Sequence, residues 1–132
     1  YMLGLSDDDP HRIALRKGPL AGGPGPSEAA GVLARSSEGF RVGSWLHLRL
    51  DAIVNDSGDV VLRVYASDLS RHPLDRAPAW EPVPGVEPVI DDALAVRTGT
   101  LPLTSGRAGF GFATADVTRR AFFDHLEVYR QL

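Results

Sequence analysis

Carboxylates are the side chains here with the widest chemical reach, and their spacing decides what they can do. Asp7, Asp8 and Asp9 run up to Pro10, while Glu81, Glu87, Asp91 and Asp92 fall in a proline-interrupted stretch and its continuation, and Glu127 stands alone near the end. Glycoside hydrolysis needs two carboxyl groups flanking one bond in a rigid cleft. Nothing in this spacing assembles such a pair, so the side chains read as solvated. The Asp7 to Asp9 run reads as a turn, because aspartate bonds nearby backbone amides. Its alternative is a calcium site, since hard cations take clustered oxygens, although no spaced calcium-loop motif is present. The four histidines, at positions 11, 47, 72 and 125, lack the i, i+2 or i, i+4 spacing of a zinc site. No nucleophile elbow surrounds a serine, and no glycine-rich loop runs into a helix to cradle phosphate. The expectation is a chain that is not an enzyme and carries no cofactor.

Binding chemistry is better supplied. Flat sugar faces stack on aromatic rings, and Tyr65, Trp80 and Tyr129 stand where an outward aspect is open to them. Asp51, Arg49, Arg63 and Tyr65 share the outer face of a central hairpin by parity. Trp80, Tyr65, Arg63 and Asp51 form the candidate glycan site. Two plainer readings stand beside it. Trp80 can instead plug the core beneath its own loop, as large aromatics in long loops do, and the hairpin patch can be an ordinary solvent-facing surface. Trp45 is expected in the core.

These residues need elements to hold them, and the clearest is the hairpin itself. Leu46, Leu48, Leu50, Ala52 and Val54 alternate with His47, Arg49 and Asp51, and Val60, Leu62, Val64 and Ala66 alternate with Val61, Arg63 and Tyr65. That is the period of strands with one buried face. Between them lies Asn-Asp-Ser-Gly-Asp, holding the chain's only asparagine, in a composition suited to a tight reversal. Shorter strands are expected over Tyr1 to Leu5, His11 to Lys17 and Val32 to Arg35, with Phe40 to Ser44 leading into Trp45. Arg16-Lys17 and Arg119-Arg120 read as solvated strand ends.

Gly18 to Pro26 holds four glycines and three prolines and reads as a surface loop, placed over 18–31. A second irregular excursion is placed over 67–105, because prolines at 73, 78, 82, 84 and 88 block ladder bonds. Ile90 to Val96 is a candidate helical turn. Gly106 to Thr114 alternates phenylalanine with small residues, and Ala121 to Tyr129 closes the set. The last segment changes parity, which predicts a bulge near Asp124 and His125 that turns Ala121, Phe123, Leu126 and Val128 into one core.

With 132 residues and 43% apolar content, the chain is one domain over 1–132 with a single core. A net charge of −3 supplies no basic field for nucleic acid or anionic lipid. No apolar run is long enough to span a bilayer as a helix. No cysteine is present, which excludes disulfides and thiolate metal sites. Six or more short strands with long irregular connections predict an all-β fold, an antiparallel two-sheet β-sandwich.

The order Gly-Ser-Trp-Leu-His-Leu-Arg-Leu, a long hairpin, an irregular excursion, Ser-Gly-Arg-Ala-Gly-Phe-Gly-Phe and a closing Ala-Phe-Phe-Asp-His-Leu-Glu-Val-Tyr resembles concanavalin A-like lectin and glucanase jelly rolls, laminin-G-like domains included. His125 stands where that pattern usually has asparagine. The Glu-x-Asp-x-x-Glu strand of glucanases with this fold is missing from the sequence. The resemblance implies a jelly roll whose first strands are missing here, either because the sandwich is shortened or because they lie in a further N-terminal part, with a neighbouring chain or a preceding segment of the same protein beside its exposed edge. It further implies a non-catalytic recognition or structural module of a bacteriophage virion or a bacterial surface, with glycan as a ligand. A small glycoside hydrolase, or an accessory carbohydrate-binding domain of one, is the alternative.

Overall fold

Strand periodicity is realised as two antiparallel sheets packed face to face in the computed structural model of the chain, which describes residues 1–6, 11–18, 31–40, 45–69, 79–94, 101–104 and 128. The first sheet has the order β1(Met2–Leu5), β2(Arg12–Arg16), β3(Val32–Gly39). The second runs β4(Trp45–Val54), β5(Val60–Leu69), β6(Glu81–Pro82), with β7(Val89–Asp91) also paired to β5. Among the described residues there is no helix, and so none that could cross a membrane. The all-β sandwich expected from the alternation is the architecture found.

The core lies where the two sheets face each other. Ile13 and Leu15 from β2 meet Val60, Leu62, Val64 and Ala66 from β5, with Val83, Val86 and Val89 closing one side. The β5 alternation is reproduced residue for residue, since Arg63 is exposed between buried Leu62 and Val64. Only half of the matching β4 alternation is buried: Leu46, Leu48 and Leu50 pack partly against the core, but Ala52 is exposed and Val54 is 50% exposed. The core is centred on β5, and the distal half of β4 overhangs it. Trp45 has the parity of His47 rather than of Leu46 and is half-buried, so its expected place in the core is corrected.

The hairpin turn is built by Asn55. Its Oδ1 accepts from the Ser57 and Asp59 N–H groups at 3.0 and 2.9 Å, and Gly58 takes the positive φ of 83° that the reversal requires. Asp59 then accepts from the Ala93 N–H at 2.8 Å, tying the hairpin tip to the residues after β7.

β3 runs to Gly39, four residues beyond the expected end at Arg35, because its register with β2 is irregular. Arg12 pairs with Gly39 but Ala14 with Arg35, which leaves the Ile13 N–H without a ladder partner. The Ser36 hydroxyl supplies one, accepting from Ile13 at 3.1 Å and donating to the Glu38 carbonyl at 2.6 Å. Buried amides must find partners, and a serine placed in a bulge does this with its side chain.

Two further expectations change. β5 continues to Leu69, and β6 and β7 lie within the stretch read as one excursion. β6 carries Pro82 and is only two residues long, as fits a residue that cannot donate to a second neighbour. The helical turn placed over Ile90 to Val96 is replaced at its start by strand β7, where Val89 and Asp91 are buried and Ile90 is exposed. This burial has period two, and beyond the strand Ala93 is half-buried and Leu94 exposed. Of the closing segment Ala121 to Tyr129 only Val128 is described; it is 69% exposed and in no strand, against its expected core position. The Asp7 to Asp9 run, residues 19–30, His72, Gly106 to Thr114, Arg119-Arg120, the bulge at Asp124 and His125, Glu127 and Tyr129 lie outside the described residues.

Candidate functional site

The register of the hairpin builds the site. β4 and β5 pair His47 with Ser67, Arg49 with Tyr65 and Asp51 with Arg63, and β6 adds Pro82 opposite Tyr65. Parity sends all of these to the face away from the core. Trp80, immediately before β6, joins them: its ring centroid lies 6.3 Å from that of His47, tilted by 51°. Trp80 is 38% exposed, so it does not plug the core. Ser67, paired with His47, is buried although it lies on the outer parity. The four candidate residues Trp80, Tyr65, Arg63 and Asp51 therefore occupy one sheet face.

Charge on this face is unevenly satisfied. Arg49 donates from Nε and one terminal nitrogen to the two Asp51 oxygens at 2.8 and 2.9 Å, and its guanidinium carbon lies 5.3 Å from the centre of the Tyr65 ring. This two-point pairing raises the Arg49 pKa further above its usual value, mainly through the hydrogen bonds to Asp51. Arg63 sits opposite Asp51 in the ladder, yet both carboxylate oxygens are already engaged. Among the described residues no hydrogen bond or ion pair holds the Arg63 guanidinium.

Beside this array is an open depression of about 390 Å³, whose walls include Arg63, Tyr65, Pro82, Pro84, Glu87 and Pro88. It forms because β6 and β7 pair with β5 at Tyr65–Ala66 and at Val60–Leu62, which leaves Arg63 and Val64 between them. The connection bows across that gap and reaches β3 of the other sheet at Ser37. Val83 and Val86 point into the core, while Pro82, Pro84, Glu87 and Pro88 stay exposed. The bow is anchored at both flanks, by Val83 N–H to the Val64 carbonyl at 3.1 Å and by Ser37 N–H to the Pro84 carbonyl at 2.8 Å. Glu87 and this bow were not among the sequence candidates. The available signal was the pair Val83 and Val86, two apolar residues in an otherwise proline-rich run.

A second polar cluster is buried between the sheets. Lys17 Nζ lies 2.7 Å from Asp91 Oδ2 and donates to Oδ1 at 2.9 Å, with side-chain exposures of 5% and 0%. The Tyr1 hydroxyl donates to Asp91 and accepts from the Leu103 N–H at 3.1 Å. Burial first, and the bond to Asp91 next, push the Tyr1 phenol up to about 12. Lys17 and Asp91 had both been read as solvated, and the structure reverses this. Asp91 follows Val89 at core parity, and Lys17 lies two residues beyond buried Leu15. Its Lys17–Asp91 pair is buried and links the two sheets, while the Tyr1 hydroxyl extends the cluster to the surface at Leu103.

Among the described residues no group of three or more histidine and acidic side chains is placed to hold a metal ion. Comparison with protein-family models, with curated proteins and with solved structures finds no match to this chain.

Proposed function

We propose that the chain is a non-catalytic recognition module of a larger assembly, and that the outer face of β4, β5 and β6 with its adjoining depression binds a glycan. The observation that carries this reading is the exposure of Trp80, 38%, on the same face as Tyr65, Arg63 and Asp51. Leaving 38% of Trp80 in water forgoes part of the roughly 1.5–3 kcal/mol that full burial of a large apolar side chain contributes, and an exposed indole edge beside polar groups suits the stacking of a sugar ring. The depression adds rigid proline walls, a donor in Arg63 and an acceptor in Glu87. Its size falls within the roughly 300–1,000 Å³ of small-molecule sites. Asp51, the carboxylate among the four candidate residues, is held bidentately by Arg49, which suits a positioning role better than acid-base work. A virion or cell surface is the setting that the lectin-like sequence pattern implies.

A glycan array probed with the wild-type chain and with Trp80→Ala tests the reading. Wild-type binding to a defined subset of glycans, weakened at least about tenfold by the substitution, is the expected result. Unchanged binding by Trp80→Ala would remove the site from this face. Release of reducing sugar from any bound glycan would overturn the non-catalytic part.

A further inference from the structure

We infer that the ligand of this face is an acidic saccharide of the hexuronate class, with Arg63 as the partner of its carboxylate. The inference rests on the recognition reading above and specifies its ligand.

The two outward arginines of the hairpin differ in what neutralises them. Arg49 has both oxygens of Asp51 and the Tyr65 ring. Arg63, across the ladder from the same aspartate, is left as the unmatched positive charge of the array. It is exposed and lines the depression, so its planar fork of donors is presented to an incoming group. A carboxylate meets such a fork with two parallel charge-assisted bonds, about twice as strong as neutral ones. A neutral sugar offers only hydroxyls there.

Glu87 lines the same depression and forms no ion pair with Arg63. The walls therefore keep a donor and an acceptor apart. A hexuronate satisfies both, with its carboxylate on Arg63 and a ring hydroxyl donating to Glu87. A phosphate can meet the same fork, and its charge of about −1.5 to −2 strengthens both the attraction to Arg63 and the repulsion from Glu87, so a phosphorylated sugar is carried as a separate arm of the test. Tyr65 and the prolines provide the apolar wall for the ring. Pro82, Pro84 and Pro88 fix the bow before binding, which reduces the ordering cost of capture.

The test uses oligogalacturonate, oligoglucuronate and oligomannuronate, each beside its fully methyl-esterified form, with a phosphorylated oligosaccharide as a further arm, titrated calorimetrically into the whole chain. At least one acid is expected to bind about tenfold or more tightly than its own ester. Arg63→Gln should abolish that preference, bringing the acid and its ester to equal affinity, and Arg63→Lys should restore part of it. Arg63 is exposed, so an unchanged circular dichroism spectrum is expected and confirms folding of the variants. Equal binding of acid and ester overturns the carboxylate assignment and leaves glycan recognition standing, as does a preference that survives Arg63→Gln. Tighter binding of the phosphorylated sugar overturns the hexuronate class. Binding of no saccharide, acid or neutral, overturns both readings.

Discussion

Tyr1 is a residue whose chemistry is moved far from its free behaviour. Its phenol is raised from about 10 to about 12, first by burial and then by its bond to Asp91, against the opposing pull of the Leu103 N–H. A raised pKa means that the folded chain prefers the neutral phenol. Its contribution to stability is therefore complete below about pH 10 and is lost as pH climbs through about 12, because the unfolded chain releases this proton first. Urea midpoints measured across that window for wild type and Tyr1→Phe isolate the effect, since the variant lacks the titrating group but keeps the ring. The stability gap between the two proteins should narrow from pH 10 to 12; a constant gap would remove Tyr1 from the alkaline response. At this scale the outward site was legible, because parity alone puts Arg49, Asp51, Arg63 and Tyr65 together. The buried pair was not. Composition makes a lone aspartate or lysine look solvated, and only the packing of one sheet on the other brings Lys17 within 2.7 Å of Asp91.

Elements record where local pattern suffices and where it fails. The hairpin was legible down to its turn, because ten consecutive ladder pairs and an Asn-Asp-Ser-Gly-Asp reversal agree with each other. The bow over residues 83–88 was not, since prolines argue against a strand without saying which residues between them turn inward. Its geometry depends on Gly85, which holds a φ of 79° and where a Cβ would stand 2.7 Å from the Ser37 N and 2.8 Å from the Ser37 Cβ. Gly85→Ala combines an unfavourable left-handed backbone with a clash against β3, and the neighbouring Ser37-to-Pro84 hydrogen bond is the contact most exposed to the shift. The expected loss is about 1–3 kcal/mol in chemical denaturation, together with weaker ligand binding, because Pro84 and Glu87 move with the bow. Gly58 offers the control. It has a similar φ of 83°, but its added Cβ would meet only Ala93 at 3.5 Å, so Gly58→Ala should lower stability and leave binding intact. Equal binding losses in both variants would mean that the bow does not shape the site.

For the molecule as a whole, the question is what makes two separately hydrogen-bonded sheets unfold as one body. The apolar contribution comes from Ile13 and Leu15 against Val60 and Leu62. The polar contribution is more demanding, because Asp91 belongs to the second sheet while Tyr1 and Lys17 directly flank β1 and β2 of the first. Pulling the sheets apart without solvating this cluster would strand a carboxylate and an ammonium in an apolar seam. A buried pair of this kind is weak evidence for net stability, since apolar replacement of both partners is often neutral or better, but losing one partner costs about 3–5 kcal/mol. Asp91→Ala should therefore reduce stability by about that amount, and Lys17→Met combined with Asp91→Leu should recover much of it. Two probes decide whether the coupling is global. Far-UV circular dichroism reports both sheets, whereas fluorescence from Trp45 and Trp80 reports the second. In wild type and in Asp91→Ala the two urea curves should coincide and shift together, as a single cooperative transition requires. A fluorescence curve that stayed in place while the dichroism moved to lower urea would mean that the second sheet survives alone, and that the buried pair fastens only its partner.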